Sequence, residues 1–486
     1  MDNWLAYTTI KPYEYQERAF NHLIKQNSNA LFSDPGTGKT KMAIDINCAR
    51  IVQGKINTVI VFAWPSQIHH QWVEEQLPKH WWKTLTVKTN SWNSKKLPAW
   101  AFERPENGNT HFITFNIESI VSDKVYEPLL ELTKKFGNRI SLIVDESQTI
   151  KNKSSVRWKR LTEVGRHCAF RTVMTGTPIA KNLMDSWAQY CFLDEKIIGI
   201  KYKTAFLQQY CVMGGFNNRE VIGVRNLEQF NRLVAPYTFR ASKSELGLPE
   251  KMPPDEIVFN MTQEQRMAQE TLKAMMVLEF DQLRKNFDSN LPMGELLRVS
   301  NVGSLFVKLQ QIVSGFMIDN DQNLHLFKEN PRLDIVDDVL SLRDDKHVIW
   351  CRFRKDIELI KQRFGDKAVV YYGGVSNEEK SEAKRKFLND DRTRYFVANP
   401  ASAGAGMDGL QTVCSRAMYY TNSFKLLDRI QSEDRINRIG SREPAMYDDI
   451  ICRASIDRFI LQNIRRKRDF QHLALNDLET MIKELI

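Results

Sequence analysis

Ser33-Asp34-Pro35-Gly36-Thr37-Gly38-Lys39-Thr40 decides the reading of this chain. The stretch follows a short apolar run, Ala30-Leu31-Phe32, and precedes a helix-like segment, Met42 to Val52. Strand, glycine-bearing turn and helix in that order make a phosphate-binding loop. Gly36 and Gly38, on either side of Thr37, let backbone N–H groups turn inward around phosphate oxygens. The helix N-terminus adds a favourable dipole. Lys39 is placed to reach the β- and γ-phosphates of ATP, and Thr40 to ligate Mg2+. The strict pattern has Gly at the first position, where this chain has Ser33.

Outward from the loop, short β-branched or apolar runs alternate with longer stretches of helical spacing. Ala30–Phe32, Thr58–Ala63, His111–Phe115, Leu142–Val144 and Arg171–Met174 form one set. His347–Cys351, Val369–Tyr372, Tyr395–Ala398, Ala417–Tyr420 and Ile450–Cys452 form a second. Buried strands alternating with helices predict an α/β fold with two parallel sheets, each covered on both faces. Between the sets, the Pro-rich stretch 246–254 reads as a connection. It is followed by two amphipathic helices, Thr262–Asn286 and Glu295–Phe316. The expected organisation is lobe 1 over 1–245, a linker with a helical insertion over 246–330, and lobe 2 over 331–486.

Hydrolysis of ATP needs a carboxylate for the metal and a group to polarise water. Asp145-Glu146 closes the apolar run Ser141–Val144. The carboxyl end of a buried parallel strand is where ligands bind in such sheets. Asp145 is the expected Mg2+ ligand and Glu146 the base.

Composition bounds the rest. The chain has 486 residues, 42% of them hydrophobic, and a net charge of +10. That apolar content supports a large core and excludes bulk disorder. The seven cysteines show no CxxC pair and the nine histidines no ligand spacing, which argues against a disulfide framework or a zinc site. No apolar run is long enough to cross a bilayer, and Met1-Asp2-Asn3-Trp4 does not open a secretory signal. The expectation is a cytoplasmic protein with no membrane contact and a polyanionic partner. Six tryptophans between Trp64 and Trp100 fit core packing better than base stacking.

The ordered segments resemble a superfamily 2 helicase of the Swi/Snf-like branch. Tyr15-Gln16 resembles the adenine-reading motif, with Gln16 its glutamine. Ser33–Thr40 resembles motif I, and Pro65 with Trp72 motif Ia. Ile113-Thr114-Phe115 resembles a motif facing the nucleic-acid path. Asp145-Glu146-Ser147-Gln148 with Lys151-Asn152 resembles motif II and its sequel, and Thr175-Gly176-Thr177-Pro178 with Asn182 resembles motif III. In the second half, Val348–Phe353 resembles motif IV, Ala403–Asp408 motif V and Gln431–Gly440 motif VI. Motif V departs from its usual GGxGIN at Ala403 and Asp408. The compact length, without appended modules, and the segment Thr421–Gly440 are similar to phage-encoded helicases, which implies the cytoplasm of an infected bacterium.

The resemblance implies two RecA-like lobes with ATP and Mg2+ between them. It implies a monomeric DNA translocase or helicase acting on duplex or branched DNA, in fork remodelling or branch migration. An RNA helicase, or a DNA-binding subunit with a spent ATP site, are the alternatives. Arg435 and Arg438 would stabilise charge on the γ-phosphoryl group, and Gln431 would position water or phosphate. Gly406 and Asp408 would contact the nucleotide. Thr114, Lys151, Asn152, Arg352 and Ser402 would contact DNA. Basic clusters at 151–160 and 465–468 add candidate phosphate contacts.

Overall fold

The computed structural model describes residues 4–64, 70–92, 99–103, 105, 109–176, 183–214, 220–247, 252–286, 302–319, 321–402 and 407–466. Contacts divide the chain into Met1–Gly247 and Leu248–Ile486. In the first unit, β1 (Ser28–Leu31), β2 (Thr58–Ala63), β3 (Thr86–Trp92), β4 (Asn109–Asn116), β5 (Ile140–Asp145) and β6 (Phe170–Met174) are followed by a hairpin, β7 (Cys211–Gly214) and β8 (Glu220–Val224), and by β9 (Thr238–Phe239). Seven of these form one sheet in the order β3-β4-β2-β5-β6-β1-β9, and every pairing in it is parallel.

Strand periodicity explains why both faces of this sheet are dry. Ile60, Phe62, Leu142 and Val144 enter one hydrophobic cluster. Their neighbours Val59, Val61 and Ile143 enter the other. Such strands read as continuous apolar runs because each side chain meets a covering helix. β3 is absent from the expected strands. Its sequence TVKTNSW holds few apolar residues because it is an edge, partly open to water.

The second unit contains β10 (Asp255–Phe259), a small hairpin of β11 (Phe316–Ile318) and β12 (Leu324–Leu326), then β13 (His347–Trp350), β14 (Ala368–Tyr371), β15 (Tyr395–Ala398), β16 (Arg416–Tyr419) and β17 (Met446–Cys452). Its six-stranded sheet runs β10-β17-β16-β13-β15-β14, again all parallel. Ile349, Val397 and Met418 pack on one face. Val348, Trp350, Phe396 and Tyr419 pack on the other. The architecture is the α/β fold with two parallel sheets expected of paired RecA-like lobes.

Two expectations need correction here. The segment 246–330 is more than linker and insertion, since β10 lies within it and pairs with β17 at the sheet edge. The expected helix Glu295–Phe316 is helical over Val302–Val313 among the described residues. Gly315, at φ +87°, turns the chain out of the helix, and Phe316 already belongs to β11. A left-handed glycine just past the last turn is a common helix stop.

Candidate active site

Three neighbouring strands of the first sheet, β5, β6 and β1, carry candidate motifs at their carboxyl ends. The phosphate loop leaves β1 and enters the helix Lys39–Val52. Gly36 and Gly38 lie at φ +81° and +76°, the left-handed region that side chains rarely adopt. Gly38 is also crowded: a Cβ there would meet Gln16 Nε2 at 2.5 Å. Gln16 and Tyr15 close over the loop, both donating to the Thr37 carbonyl, at 3.3 and 2.8 Å. Lys39 Nζ donates to the carbonyls of Ser33 (2.8 Å) and Asp34 (3.1 Å), lying back along its own loop. Thr40 follows in the first helical turn.

Ser33 has a structural account. Its hydroxyl, buried, accepts from the backbone N–H of Ala241 at 3.0 Å. Asp34 adds two ties to the same strand exit, its N–H to Ala241 O and its carboxylate to Lys243 N–H, each 2.9 Å. The loop is thus fastened to the segment leaving β9.

Asp145 ends β5 and is buried. Its Oδ1 accepts from Glu146 N–H (2.9 Å) and its Oδ2 from Trp72 Nε1 (3.1 Å). Burial first, and then the Glu146 charge, pushes the carboxyl up to about 7, against the lowering influence of Lys39 and Trp72. A divalent cation would relieve that cost, so the residues fit one. Among the described residues no cage of three His, Cys, Asp or Glu exists. Mg2+ rarely needs one, being held by one or two carboxylates with substrate phosphates. Glu146 adopts φ +49°, unusual for a non-glycine residue, and accepts from Gln148 Nε2 at 3.0 Å.

Thr175 and Gly176, after β6, bridge the two motifs. Thr175 Oγ1 donates to Gln148 at 2.6 Å and its N–H to Leu31 O at 3.2 Å. Gly176 packs so tightly that a Cβ would meet the Pro35 ring at 2.6 Å. Thr177, Pro178 and Asn182 lie outside the described residues, as do Pro65, Gly406 and most of motif V.

In the second unit, Asp408 accepts from both Arg435 (3.2 Å) and Arg438 on the same oxygen, Oδ1. Burial disfavours its charge, but Arg438, Arg435 and Lys384 outweigh that and hold the carboxyl at about 2. The helix Leu426–Glu433 that leads into these arginines carries a half-exposed Gln431. It is anchored by the buried Arg429, which pairs with Asp449 and Glu433, donates to Asn422, and stacks 3.5 Å over Tyr419.

The expected DNA contacts divide. Lys151 and Asn152 are exposed. Asn152 Oδ1 caps the following turn, accepting from Ser154. Thr114 is a correction: it is buried, bonded to Ser91 at 2.7 Å inside the sheet, and cannot touch a phosphate. Arg352 is half-buried. Its guanidinium donates to Gln310 and stacks 4.2 Å from the Phe424 ring, and burial lowers its pKa to about 10. Ser402 ends a turn after β15, its side chain outside the description.

A model of the SNF2-related domain matches residues 15–312. The chain belongs to the SNF2-related family. Relatives include the CHD3-type chromatin-remodeling factor CHR7 of Arabidopsis thaliana, 21% identical over 342 residues, 69% of this chain and 27% of that protein. The chromodomain-helicase-DNA-binding protein 1-like of Danio rerio is 20% identical over 468 residues, 93% of this chain and 42% of its own length. The chain therefore spans less than half of these curated relatives. Among solved structures, the Sulfolobus solfataricus SWI2/SNF2 ATPase core in complex with dsDNA is 19% identical, covers 99% of this chain and 98% of its own, and gives a TM-score of 0.42.

Proposed function

We propose that this SNF2-related chain is an ATP-dependent DNA translocase working on duplex or branched DNA. The carrying observation is the phosphate loop and the Asp145–Glu146 pair at the carboxyl ends of β1 and β5, joined through Thr175 and Gly176. Lys39 is the cation for the β- and γ-phosphates. Asp145 and Thr40 hold Mg2+, which when bound lends Lewis-acid charge to the phosphoryl oxygens. Glu146 orients and deprotonates the attacking water, its carboxylate set by Gln148. Arg435 and Arg438 stabilise the charge that develops on the γ-phosphoryl group, with Gln431 beside them. Asp408 holds both arginines before they engage.

Lys151 and Asn152 remain the DNA contacts of choice in the first unit, being exposed on the turn after motif II. Backbone-directed contacts make binding salt-sensitive and largely independent of sequence. The test is ATPase rate without nucleic acid and with single-stranded, duplex, forked and four-way DNA and structured RNA. Stimulation by duplex or branched DNA is expected. No stimulation by any DNA, or stronger stimulation by RNA, overturns the proposal. Lys39→Ala and Glu146→Gln should each abolish turnover and leave DNA binding intact.

A further inference from the structure

Trp72 is wholly buried, yet its one polar atom is spent on Asp145. It sits in a π-helical segment, His70–Gln76, a geometry that is rare and frequent at functional sites. The ring packs in the cluster with Leu77, Trp81, Trp82 and Phe112, 6.0 Å from the Phe112 ring. Packing alone would accept Leu or Phe there. A buried indole N–H needs an acceptor, and the acceptor found is Asp145 Oδ2 at 3.1 Å. Among the described residues, the other oxygen accepts from a backbone N–H, that of Glu146. Without Trp72 the carboxylate would keep one donor and could swing about its terminal bond.

We propose that Trp72 is the positioning residue of the metal-binding carboxylate, fixing Asp145 in one rotamer for Mg2+. The inference rests on the ATP-site reading above. Indole is a donor only, so Trp72 can orient the carboxylate and favour its anion but cannot move a proton in the reaction. Supporting groups of this kind, when removed, typically cost 10- to 100-fold in metal affinity.

The comparison available inside the same cluster is Trp82. It is equally buried, and its indole donates to another carboxylate, Asp45 Oδ1, at 2.9 Å. Asp45 is buried in the helix Lys39–Val52 and pairs with Lys41 one turn before it. Trp82→Phe therefore removes a matched indole bond at no catalytic group.

The experiment measures binding of a fluorescent ADP with and without Mg2+, in wild type, Trp72→Phe and Trp82→Phe. Wild type should gain affinity with Mg2+. Trp72→Phe should bind Mg2+-free nucleotide as wild type does and lose roughly tenfold or more of the Mg2+ increment. Trp82→Phe should keep the increment. A full increment in Trp72→Phe, or an equal loss in Trp82→Phe, overturns the inference. Absence of nucleotide binding in wild type would instead overturn the ATP-site reading. Should Trp72→Phe fail to fold, wild type with 15N-labelled indoles decides. Mn2+ added with ADP should broaden the Trp72 indole N–H, and no broadened indole signal overturns the inference.

Discussion

Replacing Asp408 with Asn separates its charge from its shape. The wild-type carboxyl titrates at about 2, against 3.8 for an ordinary Asp. Each tenfold change in proton affinity is worth about 1.4 kcal/mol, so ionisation of Asp408 among Arg438, Arg435 and Lys384, net of its burial, contributes about 2 kcal/mol of stability at neutral pH. The folded value lies below the unfolded one. The contribution is therefore complete above pH 3.8 and is lost as pH falls through about 2. Asn cannot bear the charge at any pH. Asp408→Asn should thus be less stable than wild type by about 2 kcal/mol at pH 7, with the gap closing between about pH 4 and 2. Hydrogen exchange of peptides spanning 407–441, followed against denaturant at each pH, reads this region alone. Equal protection at pH 7, or a gap that persists at pH 2, would refute the reasoning.

Three other changes test the packing around the motifs. Ser33→Gly restores the strict loop pattern, yet by removing the bond to Ala241 N–H it should cost about 1 kcal/mol, read as a lower melting temperature with ATPase retained. Gly176→Ala drives a methyl into the rigid Pro35 ring; a cost of about 1–3 kcal/mol should appear as weaker nucleotide binding, and unchanged affinity would sink the close-packing account. Asp449→Ala leaves Arg429 buried without its main partner, a loss of about 3–5 kcal/mol that should unfold the second unit first in limited proteolysis while Met1–Gly247 stays protected.

How much was legible depended on what each signal encodes. Parallel strands buried on both faces announce themselves as apolar runs, so β2, β5, β13 and β15 could be read directly. β3 and β10 could not, because each lies at a sheet edge partly open to water and mixes polar with apolar residues. Gly36 and Gly38 were legible for a physical reason, the positive φ that the loop demands. Trp72 was visible only as part of a motif, since nothing in one dimension says which acceptor a buried indole will find.

Motif order also gives a residue's place along a strand without giving its surroundings. Thr114 and Arg352 show the consequence. Each stands where the resemblance implies a nucleic-acid contact, yet Thr114 is buried against Ser91 and the half-buried Arg352 donates to Gln310. The same holds for the basic run after motif II. Lys153 lies over the Trp158 and Trp187 rings, and Arg160 is tied to Val121 and Asp123. Lys151 and Lys159 are left exposed. Counting charge therefore overstates the phosphate-binding surface, because Arg and Lys also serve as cross-links within the fold. The net +10 supports a polyanionic partner only through side chains that reach water. Lys151 and Lys159 meet that condition in this run, so their replacement by Ala should flatten the salt dependence of DNA binding by about one phosphate contact each. Replacing Lys153 should instead lower the stability of the first unit and leave the salt dependence unchanged.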